Sequence, residues 1–242
     1  MATSVAIVGS SGRMGGLIDR LLSASDDFDV HARIGRGDPI EQIEGADLVI
    51  DVSLPAVSPG VVEAALDRRI PIVVGTSGWT SDRLAPVERR IAADPELTAL
   101  VIPNFSLGSA LATRLAELAA PHFESIEIIE AHHAGKTDSP SGTAIRTAEI
   151  IGAARGDLGP VAAPHADQPA RGQLVGSVPV HSMRMSGVSA RQEVVLGGAG
   201  ETVRIVHETL SDESYEPGIL FALRAATTRT GFVVGLGALL GL

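Results

Sequence analysis

The feature that most constrains this chain lies near its start. Val5-Ala6-Ile7-Val8-Gly9-Ser10-Ser11-Gly12-Arg13-Met14-Gly15 sets three glycines where an apolar, β-branched run gives way to a helical pattern. The three glycines do different things. Gly9 permits a tight turn, Gly12 lets the backbone approach a pyrophosphate, and Gly15 lets the helix pack closely on the strand. The helix start behind them offers N–H groups and the positive end of a dipole to an anion. The spacing is GxxGxxG and not GxGxxG, so the strand-to-helix context carries as much of the argument as the glycines. Gly9, Ser10, Ser11, Gly12, Arg13 and Met14 are candidate dinucleotide contacts, with Arg13 adding a direct charge. The alternative is a purely structural turn.

The next hundred residues suit such a turn. Strands are predicted at Ser4–Val8, Phe28–Ile34, Asp47–Val52, Ile70–Gly75 and Thr98–Ile102. Between the first two, Met14, Leu17, Ile18, Leu21 and Leu22 form one helical face. Further helices are expected at Pro59–Arg69 and Ser81–Ala93, which gives the alternation of a parallel sheet with helical crossovers. After Pro103 the pattern changes. A helix at Leu107–Ala119, a strand at Ser125–Ala131 and a helix from about Gly142 to Ala154 precede a Gly/Pro/Ala-rich excursion over 155–177. Strands at Val178–Met185, Arg191–Leu196 and Glu201–Glu208 follow, the last two joined by a hairpin at Gly197–Gly200. A helix at Pro217–Thr228 and the apolar Gly231–Leu236 would return to the first sheet. The expected fold class is α/β: a parallel-sheet nucleotide domain over 1–103 and 216–242, and an α+β domain with an open mixed sheet over 104–215.

Composition narrows the function. The chain has no cysteine, which removes disulfides, thioester-forming dehydrogenase chemistry and cysteine-based zinc sites. A formal charge of −10 without a basic stripe argues against nucleic-acid binding. No basic region precedes the first apolar run, and Gly231 to Leu242 is too short and Gly-rich to span a bilayer, so a cytoplasmic protein with no membrane partner is expected. Of the 19 basic residues, 18 are arginine and one is lysine, Lys136. Where arginine serves everywhere else, a lone lysine suggests a role that guanidinium cannot fill, such as releasing a proton near neutral pH. Chance survival is the plainer reading.

That lysine lies in Glu130-Ala131-His132-His133-Ala134-Gly135-Lys136-Thr137-Asp138-Ser139-Pro140-Ser141-Gly142-Thr143-Ala144. Ser141 is a plausible N-cap, Gly142 and Thr143 would open the first helical turn as an anion site, and the Thr143 hydroxyl is a further donor. A carboxylate is the natural occupant, faced by Lys136 and the histidines. Adjacent histidines point in different directions and no cysteine assists them, so no metal is expected. A solvated loop with a capped helix is the alternative. The cofactor half is less decided. Acid at the end of the second strand suits NAD(H), and base suits NADP(H). Here His31-Ala32-Arg33-Ile34-Gly35-Arg36-Gly37-Asp38 lacks an acid at the expected tip. Arg33 and Arg36 favour NADPH unless Asp38 supplies the missing carboxylate.

Taken with Gly75-Thr76-Ser77-Gly78 and Pro103-Asn104-Phe105-Ser106, the GxxGRMG turn and the Glu-x-His-His-x-x-Lys-x-Asp-x-Pro-Ser-Gly-Thr-Ala run resemble the dihydrodipicolinate reductase family essentially end to end. The resemblance implies a Rossmann-like nucleotide domain, a central domain with an open mixed sheet, and homotetramers assembled through the central sheets. It implies NADPH or NADH as cofactor and a cyclic dicarboxylate as substrate. The 4-hydroxyl would leave as water and hydride would pass to the ring, a step of lysine and diaminopimelate biosynthesis. On this reading His132 is the catalytic histidine and Lys136 the proton donor, with His133, Ser141, Gly142 and Thr143 on the substrate. Gly75, Thr76, Ser77, Pro103, Asn104 and Phe105 would line the nicotinamide side. Ser77 stands where the family has threonine, Val52-Ser53 where Phe-Thr is common, and Ser139 where alanine precedes Pro-Ser-Gly-Thr. The missing acid near Gly35 is the larger departure. Another Rossmann oxidoreductase with a Lys–His pair would explain the cofactor half alone, and a nucleotide sensor without turnover would not require the His132, His133 and Lys136 set.

Overall fold

The computed structural model describes residues 2–242. The chain begins with β1 (Thr3–Val8), α1 (Arg13–Ser23), β2 (Phe28–Ile34), β3 (Leu48–Asp51), α2 (Ser58–Asp67), β4 (Ile72–Val74), α3 (Ser81–Ala93) and β5 (Thr98–Val101). It continues with α4 (Leu107–Ala119), β6 (Ser125–His132), α5 (Gly142–Arg155), β7 (Gln173–Val175), β8 (Val178–Arg184), β9 (Ala190–Gly198) and β10 (Glu201–Thr209). It ends with α6 (Glu216–Thr228), β11 (Gly231–Val234) and α7 (Leu236–Leu240). Two compact units result, Met1–Leu107 with Tyr215–Leu242, and Gly108–Ser214.

The first unit is built on a six-stranded sheet in the order β11-β5-β4-β3-β1-β2, every pair parallel. β3, β4 and β5 are buried at every residue, as strands covered on both faces are. Val49, Ile72, Val74, Ala99 and Val101 form one side of the core with Val61, Val62, Leu66 and Ile91. α1 buries Gly15, Leu17, Ile18 and Leu22, the stripe its periodicity predicts. Strand order reverses between β1 and β3, and in open α/β sheets ligands bind beyond the carboxyl ends of the strands at such a point. The Gly9 turn and the Val52-Ser53 loop stand there.

The second unit holds a five-stranded sheet in the order β10-β9-β6-β8-β7. β6 and β8 run parallel and the other three pairings are antiparallel, so the sheet is mixed. Alternation along the strands puts Ile126, Ile128, Val178, Val180, Val194 and Leu196 against Ala116, Ala144, Ala148 and Ile151 of α4 and α5. Each large aliphatic buried here contributes about 1.5–3 kcal/mol. The opposite face carries ion pairs of Glu127 with Arg171 and of Glu193 with Arg191 and Arg204. The β9–β10 hairpin closes through Ala199-Gly200, with Gly200 at φ +82.

Two elements depart from expectation. The 155–177 excursion contains β7, whose three residues are too few to show an alternation and are exposed at Gln173 and Leu174. The final apolar run is a strand only to Val234. Gly235, at φ +92, then turns the chain into α7.

Candidate active site

The glycine turn has the geometry of an anion cradle. Gly9 lies at φ +89, and a Cβ there would stand 2.6 Å from the Val52 carbonyl oxygen. At Gly15 a Cβ would fall 2.2 Å from the Gly9 oxygen, so α1 meets the turn at glycine distance. Gly12 is exposed and caps α1 without a side-chain hydrogen bond, leaving the first turn open beside Ser11 and Arg13. A dinucleotide pyrophosphate fits this cradle.

The basic residues at the end of β2 divide. Arg33 is engaged within the unit: its Nε and guanidinium NH2 donate to Asp19 of α1 at 2.9 and 2.7 Å. Arg36 is exposed and has no partner among the described residues. Asp38 Oδ2 accepts from the Gly35 N–H at 2.8 Å and lies 3.4 Å from where a Gly35 Cβ would stand.

The loops after β4 and β5 engage several of their own side chains. Thr76 is buried and its hydroxyl donates to Asp51 Oδ2 at 3.1 Å, which leaves backbone alone to meet a ligand. Phe105 is 3% exposed, and its ring fills the space where Gly75 lacks a side chain, so that side chain belongs to the core. Asn104 Oδ1 accepts from Ser106 N at 2.9 Å, while Ser77 and Pro103 are exposed. Beneath these loops Asp51 is fully buried. It accepts from the Ser53 N–H at 3.0 Å and from the hydroxyls of Thr76 and Ser58, and Trp79 Nε1 donates to Ser58 at 3.0 Å. One carboxylate thus ties the loops after β3 and β4 together. Nothing in sequence spacing indicates this hub.

In the second unit, strand periodicity builds a separate polar cluster. Ile126, Ile128, Glu130 and His132 alternate onto the helix side of β6, so the apolar core gives way to a carboxylate and an imidazole as the strand ends. Glu130 is fully buried. Its Oε2 accepts from His132 Nδ1 at 2.6 Å and from Arg184 at 2.8 Å; its Oε1 accepts from Arg184 at 2.8 Å and from the Ser141 N–H at 3.1 Å. Arg184 pairs with His132 in the β6–β8 register, and its NH2 also donates to the Asp138 carbonyl at 2.6 Å. Burial alone would raise the Glu130 pKa. The Arg184, Ser182, His132 and Ser141 hydrogen bonds outweigh it and hold the carboxyl at about 2. Burial pushes His132 below the ordinary histidine value, Glu130 pulls the other way, and Lys136 and Arg184 add to the depression.

Lys136 is held by Asp138, Nζ to Oδ1 at 2.7 Å, and its N–H donates to the His133 carbonyl at 3.1 Å. His133 is exposed. Ser141 is the N-cap of α5, accepting from Ala144 N at 3.2 Å. It is only 2% exposed, and its hydroxyl and N–H are engaged by Ala144 N and Glu130. The helix start that faces outward is exposed Gly142 with half-buried Thr143. Arg184 is absent from the sequence-based candidates. It lies 54 residues beyond Glu130, and only strand pairing brings the two together.

Residues 3–105 match the pattern described as dihydrodipicolinate reductase, N-terminus, and residues 108–240 that of dihydrodipicolinate reductase, C-terminus. The chain belongs to the dihydrodipicolinate reductase family. Family members named 4-hydroxy-tetrahydrodipicolinate reductase include one from Clavibacter sepedonicus, 54% identical over 99% of this chain and 87% of the relative. Another, from Streptomyces avermitilis, is 42% identical over 96% of this chain and 95% of the relative. A solved structure of dipicolinate-bound dihydrodipicolinate reductase from Paenisporosarcina sp. TG-14 superposes with a TM-score of 0.82 at 26% identity, covering 98% of this chain and 99% of that one. The apo scyllo-inositol dehydrogenase of Lactobacillus casei, at 13% identity and a TM-score of 0.61, shares the fold alone. As a family member the chain is an NAD(P)H-dependent oxidoreductase. No helix among the described residues is long and apolar enough to cross a membrane.

Proposed function

We propose that this chain is a 4-hydroxy-tetrahydrodipicolinate reductase that removes the 4-hydroxyl as water and reduces the ring to tetrahydrodipicolinate in lysine and diaminopimelate biosynthesis. The observation that carries the reading is one short segment of the second unit. It presents an imidazole, His132, on a buried carboxylate, an ammonium, Lys136, on Asp138, and the open start of α5 at Gly142 and Thr143. A cyclic substrate with two carboxylates calls for that set: a cation and helix N–H groups for the carboxylates, and proton donors for the ring.

Gly9 to Met14 would hold the pyrophosphate, and the backbone at Gly75 to Ser77 and the exposed Pro103 would meet the nicotinamide. The bound nicotinamide supplies the hydride. Conjugate hydride addition leaves an enamine, and Lys136 delivers a proton to its carbon beta to the nitrogen, which restores the C=N bond of the product; Asp138 keeps the ammonium aimed. His133 and Thr143 add polar contacts to the carboxylates. NADPH is the favoured cofactor because Arg36 is exposed and unengaged, whereas the Asp38 carboxylate, which would favour NADH, is turned onto the Gly35 N–H. The first unit then serves the dinucleotide, and the second the substrate and a cytoplasmic homotetramer built on the sheet face that the helices leave open. The test is oxidation of NADPH and NADH with aspartate semialdehyde, pyruvate and the preceding synthase. Turnover with loss of nicotinamide absorbance is expected, and no turnover with either cofactor refutes the assignment.

A further inference from the structure

The Glu130 carboxylate reaches both proton-handling groups. It touches His132 directly at 2.6 Å. It reaches Lys136 through Arg184, whose NH2 bridges Glu130 Oε1 and the carbonyl of Asp138, the residue whose carboxylate holds the ammonium at 2.7 Å. The same carboxylate binds the N–H of Ser141, so the loop from His132 to the start of α5 is tied at both ends to one buried group. The second strand needed for this, β8, supplies Arg184 directly across from His132.

We propose that Glu130 and Arg184 are the positioning pair of the reaction: the carboxylate keeps the His132 proton on Nδ1 and presents unprotonated Nε2 to the site, while Arg184 keeps Glu130 charged and fixes the Asp138 backbone beneath Lys136. The proposal rests on the reading that His132 and Lys136 carry the chemistry.

The physical case has three parts. A carboxylate that accepts from a ring nitrogen requires a proton on that nitrogen, which fixes the tautomer of a neutral imidazole. A bidentate guanidinium–carboxylate pair is rigid in plane and direction, which a lone lysine contact would not be. Buried ion pairs of this kind add little net stability against apolar replacements, so one buried under an imidazole is better explained by orientation than by cohesion. The charged groups facing His132 are Glu130 on its own strand, Arg184 on β8 and Lys136 on the loop, with Asp138 beyond Lys136. Of these, Glu130 alone stabilises the protonated ring by contact.

The experiment combines nitrogen-15 NMR of His132 with steady-state kinetics on the full-length protein and Glu130→Gln. In the wild type the neutral ring is expected as the Nδ1–H tautomer. In Glu130→Gln the preference is lost, the His132 titration moves to lower pH, and kcat falls at least about tenfold and by up to about 10⁴-fold, the loss when a carboxylate orienting a catalytic histidine is neutralised. Substrate KM is expected to stay within about threefold, the signature of an interaction serving the reacting state. Arg184→Lys keeps the charge and is expected to retain the His132 titration while losing part of kcat, since one ammonium cannot hold Glu130 and Asp138 in plane. An Nε2–H tautomer in the wild type overturns the proposal even if neither variant folds. So does a folded Glu130→Gln protein with unchanged kcat and pH profile, or one changed only in melting temperature. The tautomer and titration are read without turnover: a wild type that shows both but reduces no substrate upholds the pair and sinks the functional assignment.

Discussion

Acid stability offers a quantitative check on the buried carboxylate. Glu130 titrates at about 2 in the folded protein against an ordinary value of 4.5. Its folded pKa is depressed, so its contribution is fully present above the unfolded value and is lost as pH falls through 4.5 towards 2. Linkage converts the whole difference to about 3 kcal/mol, of which about 2 kcal/mol disappears between pH 5 and pH 3. The side chain is fully buried. Urea unfolding of the wild type and Glu130→Gln at pH 5, 4 and 3 reads this contribution together with the smaller, opposing one from His132, whose titration also moves in the variant, because Asp47, Glu127, Asp138 and Glu193, also held below their ordinary values, are common to both. With a slope of about 2–3 kcal/mol per molar urea, the wild-type midpoint should fall nearly 1 M further than that of the variant over this interval. Parallel midpoints would mean that Glu130 is not a depressed, ionised group in the folded state, and the reasoning built on it would fail.

Other consequences are simpler to read. Lys136→Arg keeps the charge beside Asp138 but cannot hand over a proton, so kcat should drop by about 10²–10⁴ with a smaller change in substrate KM; near-normal rates refute the donor role. Arg36→Ala should raise KM for NADPH about tenfold and leave NADH nearly unaffected, whereas Arg33→Ala should change neither, because Asp19 already holds Arg33. Equal changes for both cofactors in Arg36→Ala count against a phosphate contact. Gly15→Ala places a Cβ 2.2 Å from the Gly9 oxygen, and thermal melting should register a loss of about 1–3 kcal/mol with a raised KM for both cofactors.

The secondary structure was largely legible because its signals are local. The helices Ser81–Ala93 and Leu107–Ala119 and the strand Phe28–Ile34 carry periodicities of 3.6 or 2 that need no partner to be read. β7 and α7 escaped for the converse reason: three and five residues are fewer than two full periods of their patterns, and they form because a neighbouring strand or a glycine turn holds them.

Residue chemistry along the chain established the glycine turn, the absence of cysteine, the solitary lysine and the cluster from Glu130 to Ala144, since each depends on composition or spacing alone. The sequence also suggested the α/β class. Tertiary structure decided where the charges go. Arg33 is engaged by Asp19, Phe105 by the gap at Gly75 and Thr76 by Asp51, and none of these partners is predictable from neighbours in the chain. The parallel pairing of β6 with β8 places Arg184 across from His132 and on Glu130, 54 residues away. Periodicity says which face a side chain takes; only strand register says what it meets there, because register is set by packing summed over the whole sheet.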